Sequence, residues 1–118
     1  MSDWQWHELN SIDIDRSAAF YESTFGWNVE HAEYDGDPYK MLMKDGRPIG
    51  GVAPASDAGT RGWGVFISVE DCDQGREAVL TNGGNVLFGP IAVPGVGRIA
   101  GCSDPLGAEF TIIQPEPR

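Results

Sequence analysis

The sequence has few cysteines, few histidines and few positive charges, and it contains no long apolar run. Its 118 residues include two cysteines, Cys72 and Cys102. Two thiols do not make the disulfide framework of a small secreted domain, so free thiols in a reducing compartment are expected. Eight Lys and Arg residues stand against 18 Asp and Glu, for a net charge of −10. Such a surface repels phosphate backbones and anionic bilayers, which argues against nucleic-acid and membrane-surface partners. No apolar stretch approaches the roughly 18–20 residues that span a bilayer. The first residues, Met1-Ser2-Asp3-Trp4, have neither the basic nor the apolar segment of an export signal, and a cytoplasmic location is the expectation.

What is present is a chain of ordinary globular composition, 41% apolar and 22% charged, with 16 glycines and 8 prolines spread along it. Many short elements joined by tight turns follow from that spread. A strand is expected over Trp6–Ser11. A helix capped by Asp13 or Asp15 then runs to about Phe25, with Ala18, Tyr21 and Phe25 as its apolar stripe and Gly26 as its stop. Strands follow over Trp27–Tyr34, Tyr39–Met43 and Ile49–Ala53, separated by turns at Asp35-Gly36-Asp37-Pro38 and Asp45-Gly46. Pro54–Gly62 reads as a linker. The second half has a strand at Trp63–Glu70 and a helix capped by Asp71 or Asp73, ended by Gly83-Gly84. Strands at Asn85–Phe88, Gly97–Ser103 and Glu109–Gln114 complete it, with Gly89-Pro90 and Pro94-Gly95 bracketing a loop.

These landmarks repeat. Asp13 and Asp71 each close a first strand and open a helix, 58 residues apart, and Gly26 and Gly84 each end that helix at the same spacing. Asp45-Gly46 and Asp104–Gly107 turn into a final strand at nearly the same offset. One domain over residues 1–118 is therefore expected, built from two tandem βαβββ modules at about 4–54 and 62–115. The fold class is α+β, a curved mixed sheet around a central cleft.

Asp13 followed by Ala19-Phe20-Tyr21 and Phe25-Gly26-Trp27, then Val69-Glu70-Asp71, Gly83-Gly84, Val93-Pro94-Gly95-Val96-Gly97 and Asp104-Pro105-Leu106-Gly107-Ala108, resembles the vicinal oxygen chelate superfamily. That group contains glyoxalase I, bleomycin-resistance proteins and extradiol dioxygenases. The resemblance covers almost the whole chain and implies paired modules around a ligand cleft, with no single reaction attached. It also implies a homodimer, which would cover exposed sheet edges.

In metal-binding members of that superfamily, His and Glu side chains from four strands hold a divalent ion. Carried onto this sequence, the ligand positions fall on Trp6, Gly64, Thr111 and the stretch Gly50–Val52. None supplies a ligand beyond a weak Thr hydroxyl. His7 is one residue from the first position, but strand alternation places it with Leu9 and Ser11 under the helix, leaving Trp6, Glu8 and Asn10 on the cleft face. His31 is at no ligand position. No divalent metal or other cofactor is expected, and no catalytic residue is assigned. The candidate ligand-binding residues are Trp6, Glu8, Tyr39, Met41, Phe66, Phe88, Glu109 and Thr111. Trp63 is a further rim candidate. An aromatic, thioether-containing lining with two carboxylates suits a flat or cationic organic molecule. The expected function is metal-independent binding of such a molecule. The alternative is a metal-dependent lyase or dioxygenase of the glyoxalase class with a remodelled site.

Overall fold

The computed structural model describes residues 2–34, 36–55 and 62–117. Asp35 of the expected turn and residues 56–61 of the expected linker lie outside the described residues. The chain is α+β, with two βαβββ modules in sequence. By packing it forms two units, Trp6–Gly64 and Met1–Gln5 with Val65–Arg118.

In the first unit the elements are β1 (Trp4–Ser11), α1 (Ile14–Phe25), β2 (Asn28–Tyr34), β3 (Asp37–Lys44) and β4 (Arg47–Pro54). The start of β1, Trp4 and Gln5, belongs to the second unit. The strands lie in the order β2-β3-β4-β1, with β1 parallel to β4 and the other pairs antiparallel. Helix α1 opens as its sequence dictates. Asp13 is extended (φ −149°), and its carboxylate accepts from the Arg16 backbone N–H at 3.0 Å. Gly26 closes the helix at φ 75°, a left-handed conformation that glycine adopts without strain, and its N–H bonds the Glu22 carbonyl.

Period-2 alternation sorts the sheet into two faces. Leu9, Leu42 and Val52 face α1 and form the core, joined by Ile14, Tyr21, Trp27, Val29 and Ile49. Leu42 is 1% exposed and Val52 is wholly buried. The expected helical stripe is only partly inside. Ala18 is buried and Tyr21 half-buried, whereas Phe25 is 57% exposed and stacks on Trp27 at 5.2 Å.

Lys40 also points to the helix side and is buried. A buried ammonium needs partners. Asp15 on α1 meets it at 2.9 Å, and His31 Nδ1 on β2 is its second contact. The Lys40 charge holds the Asp15 carboxyl below the ordinary carboxylate range.

The second unit repeats the plan with β5 (Gly62–Ser68), α2 (Cys72–Thr81), β6 (Asn85–Val93), β7 (Gly97–Ser103) and β8 (Glu109–Pro115). Its strand order is β5-β8-β7-β6, again with the first and last strands of the module parallel. Gly62–Gly64 at the start of β5 belong to the first unit. Asp71 caps α2 through the Gln74 N–H at 2.9 Å. An N-cap of this kind contributes about 1 kcal/mol. The core under α2 is Cys72, Ala100, Cys102 and Ile112, with Val69, Val79 and Phe110 against it.

The expected loop after Phe88 is instead strand. β6 runs to Val93 through Gly89 and Pro90, and its pairing with β7 shifts register between Phe88 and Ile91. A proline lacks the N–H that a ladder uses, but β6 is the last strand of its unit's order and is bulged at that point. Both conditions let the strand continue where composition alone suggests a break.

Candidate functional site

On the face of the first unit's sheet away from α1, one row crosses four strands. Glu8 on β1 pairs with Gly51 on β4, Gly51 with Met41 on β3, and Met41 with Glu30 on β2. The pivotal position is Gly51. The aromatic ring of Tyr39, two residues along β3 from Met41, lies across it. A Cβ built on Gly51 would fall 1.7 Å from Tyr39 Oη. The glycine therefore makes the floor over which the tyrosine reaches from β3 to β1.

There its hydroxyl meets two partners. Trp6 Nε1 donates to Tyr39 Oη at 2.9 Å. The same hydroxyl hydrogen-bonds the Glu8 carboxylate. Tyr34 packs edge-on against the Tyr39 ring, with centroids 5.0 Å apart. Tyr39 is only 8% exposed, and Trp6 and Glu8 are half-buried.

Burial raises the Glu8 pKa, because a carboxylate loses solvation there; the Tyr39 hydrogen bond opposes that shift but is the smaller effect. Burial and the neighbouring Glu8 charge push the Tyr39 phenol up in turn, so at neutral pH it is a proton donor and not a phenolate. The face thus offers an aromatic and thioether surface with one perturbed carboxyl at its edge.

The second unit has a corresponding row. Phe66 on β5 pairs with Thr111 on β8, Thr111 with Gly101 on β7, and Gly101 with Phe88 on β6. Here too an aromatic ring covers a glycine. A Cβ on Gly101 would lie 2.1 Å from Phe88 Cε2. Phe88 is 46% exposed and Phe66 and Thr111 are half-buried. Glu109 is exposed, two positions along β8 from Thr111. This row carries no acid among its paired residues.

The model of the glyoxalase-like domain matches residues 7–113 of this sequence. The chain belongs to the glyoxalase-like domain family. Among its relatives is CFP32 of Mycobacterium tuberculosis, named provisionally as a glyoxylase. It is 33% identical over 115 residues, covering 96% of this chain and 44% of that protein. Another is DnrV of Streptomyces peucetius, named as an anthracycline biosynthesis protein. It is 32% identical, covering 91% of this chain and 45% of that protein. The glyoxalase-like chain therefore spans about half the length of these curated relatives.

Solved structures share the fold at low identity. The hypothetical protein BH1468 from Bacillus halodurans has a TM-score of 0.71 at 14% identity, covering 99% of this chain and 96% of that one. Methylmalonyl-CoA epimerase from M. tuberculosis has a TM-score of 0.67 at 17% identity, covering 97% and 88%.

The positions where metal-binding members of the superfamily carry ligands do not fit a divalent ion in this glyoxalase-like chain. Trp6 uses its only polar atom on Tyr39. Gly64 and the Gly50–Val52 stretch have no ligating side chain, and Thr111 offers a hydroxyl alone. Among the described residues no group of three or more His, Cys, Asp or Glu is arranged to hold a metal ion. His7 is exposed on β1, and His31 is engaged with Lys40 on the helix side of the sheet.

Of the residues singled out in the sequence, Trp6, Glu8, Tyr39 and Met41 share one face of the first unit, and the first three form one hydrogen-bonded chain. Phe66, Thr111 and Phe88 share one row of the second. Trp63 is not a rim residue. Its Nε1 donates to Tyr21 Oη on α1 at 3.0 Å, and its ring stands edge-on to Tyr21, which puts it on the helix side. Gly51 was missed. Its signal in the sequence is the Gly50-Gly51 pair inside an otherwise apolar strand, which marks close approach of another group. The cysteines take no part: both are buried and free, and burial raises both thiols. No helix among the described residues is long and apolar enough to cross a membrane.

Proposed function

We propose that this chain binds a small, planar organic molecule without the help of a metal ion, on the face that carries Trp6, Glu8, Tyr39 and Met41. The observation that carries the reading is the Trp6–Tyr39–Glu8 chain laid over Gly51. A partly buried carboxyl and an oriented phenol on an apolar wall are the sparse, directed polar groups that small-molecule sites use. A filled core would have no use for a carboxyl whose burial costs solvation. The name of DnrV, an anthracycline biosynthesis protein, adds support for a small organic ligand. On the second unit, Phe66, Phe88, Glu109 and Thr111 are proposed as ligand-binding residues of that unit's own face. The role that fits this reading is sequestration or sensing.

The test is metal analysis followed by thermal shift. Full-length, tag-free protein is dialysed against nickel, cobalt, zinc and iron(II), and its metal content is measured. Metal well below one ion per chain is expected, together with stabilisation by planar aromatic compounds that EDTA does not weaken. Near-stoichiometric metal, with stabilisation lost in EDTA, would overturn the reading in favour of metal-dependent lyase or dioxygenase chemistry.

A further inference from the structure

We infer that Glu8 is the anchor for a protonated amine on the bound molecule, held ready by a one-way hydrogen-bond relay from Trp6 through Tyr39. This deepens the proposed function and rests on it. The direction of the relay follows from donor chemistry. An indole N–H donates and cannot accept. With Trp6 Nε1 2.9 Å from Tyr39 Oη, the phenol oxygen is the acceptor of that bond. The phenol proton then goes to its other partner, Glu8. The relay ends on a carboxylate, and every donor within it points the same way.

One contact does not satisfy a carboxylate, whose two oxygens offer about four acceptor sites. Among the described residues, the groups acting on Glu8 are its burial and the Tyr39 hydroxyl, with no cation among them. The row beside it holds Gly51 and Met41, and the far end of the row, on β2, is Glu30. Tyr34 packs against the Tyr39 ring. Lys40, the basic residue between Tyr39 and Met41, turns to the opposite face, where Asp15 and His31 hold it. The sheet thus keeps its own ammonium away from Glu8, and among the described residues no counter-charge acts on the carboxyl.

A ligand ammonium supplies what is missing. It gives the carboxylate a charge-assisted bond, and the surrounding rings favour a cation by their π faces. An anion would be repelled, and a neutral ring would leave the carboxyl unpaired in a partly apolar site. A charge-assisted hydrogen bond contributes roughly tenfold to hundredfold in affinity. Proton linkage follows with a definite sign. Burial raises the Glu8 pKa in the free protein, whereas a bound cation favours the charged form. Binding therefore releases protons, and affinity falls as pH drops through the raised Glu8 pKa.

The experiment is calorimetric titration of the full chain at pH 5.0 and pH 7.5 with two probes of equal ring size. These are 9-aminoacridine, planar and cationic at both pH values, and 9-anthracenemethanol, planar and neutral. Wild type and two variants, Glu8→Gln and Tyr39→Phe, are compared. Glu8→Gln keeps an acceptor for Tyr39 and removes the charge. Tyr39→Phe keeps the ring over Gly51 and removes the relay, so the charge can be tested even if one variant folds poorly. The expected result is that wild type at pH 7.5 prefers 9-aminoacridine by about tenfold or more. That preference is lost in Glu8→Gln, reduced in Tyr39→Phe, and smaller at pH 5.0. Equal binding of the two probes, or a preference unchanged in Glu8→Gln, would overturn the amine anchor while leaving the small-molecule reading in place. Failure of both probes to bind wild type would overturn the two together.

Discussion

Gly51→Ala is expected to destabilise the protein by about 2–3 kcal/mol and to weaken binding of a planar probe at least about tenfold. The added methyl would lie 1.7 Å from Tyr39 Oη and 2.2 Å from Tyr39 Cζ, well inside contact distance. One of the two must move, and the backbone of β4 is held on both sides by β3 and β1. Tyr39 is therefore displaced. It leaves a nearly buried position, gives up the bond from Trp6 Nε1, and leaves Glu8 without its donor. The check is a double-mutant cycle by urea unfolding. In a Tyr39→Ala background the same Gly51→Ala change meets no ring, and its cost falls well below 1 kcal/mol. An equal cost in both backgrounds would show that the glycine serves β4 itself and not the tyrosine. Gly101→Ala makes a useful contrast. Its Cβ also meets a ring, that of Phe88, but Phe88 is half-exposed on an edge strand and can swing toward solvent. A much smaller loss is expected there.

Leu42→Ala is expected to cost about 3–4 kcal/mol, a large part of the stability of a domain this size. Leu42 is 1% exposed and is packed with Leu9 and Val52, where α1 covers the sheet. Three carbons, Cγ and its two methyl groups, would be removed from a region with little room to collapse, since Val52 and Leu9 are fixed by strand register. Urea unfolding should show a lower midpoint with an unchanged slope. The folded remainder should keep its affinity for a planar probe, because Leu42 faces the helix while Glu8, Tyr39 and Met41 face away. Affinity lost in step with stability would mean that the two faces are not independent, against the alternation that defines the site.

Much of this architecture was legible in the residues. Asp13 and Asp71 cap their helices and Gly26 closes α1 with positive φ, whereas α2 is C-capped by Asn82 and the positive φ falls on Gly83, one residue before the expected Gly84. Alternation alone separated Leu9 and Ser11 from Trp6 and Glu8, and it placed Tyr39 and Met41 together. What it left out involves groups that reach across strands. A period of two says which way Tyr39 points but not that its ring passes over Gly51 to another strand. Nor does it say that Trp63 leans onto Tyr21 of the helix. Lys40 was also out of reach, because its burial depends on Asp15 and His31, which tertiary packing brings from two other elements. The misplaced loop at Gly89-Pro90 has a similar cause. A proline's cost to a strand depends on whether its missing N–H was needed, and that is settled by edge position and bulge, not by composition.

The measurement that tests the account most directly is a titration followed at the tryptophan indole N–H signals in ¹⁵N-labelled protein, with EDTA present throughout. The chain has four tryptophans, and only Trp6 donates to Tyr39. Saturating 9-aminoacridine should move the Trp6 signal strongly, while those of Trp4 and Trp27 stay in place. Substituting Tyr39→Phe should shift the Trp6 signal before any ligand is added. A Trp6 signal unmoved by the probe in EDTA, but responsive once a divalent metal is restored, would contradict a metal-independent site built on Trp6, Tyr39 and Glu8.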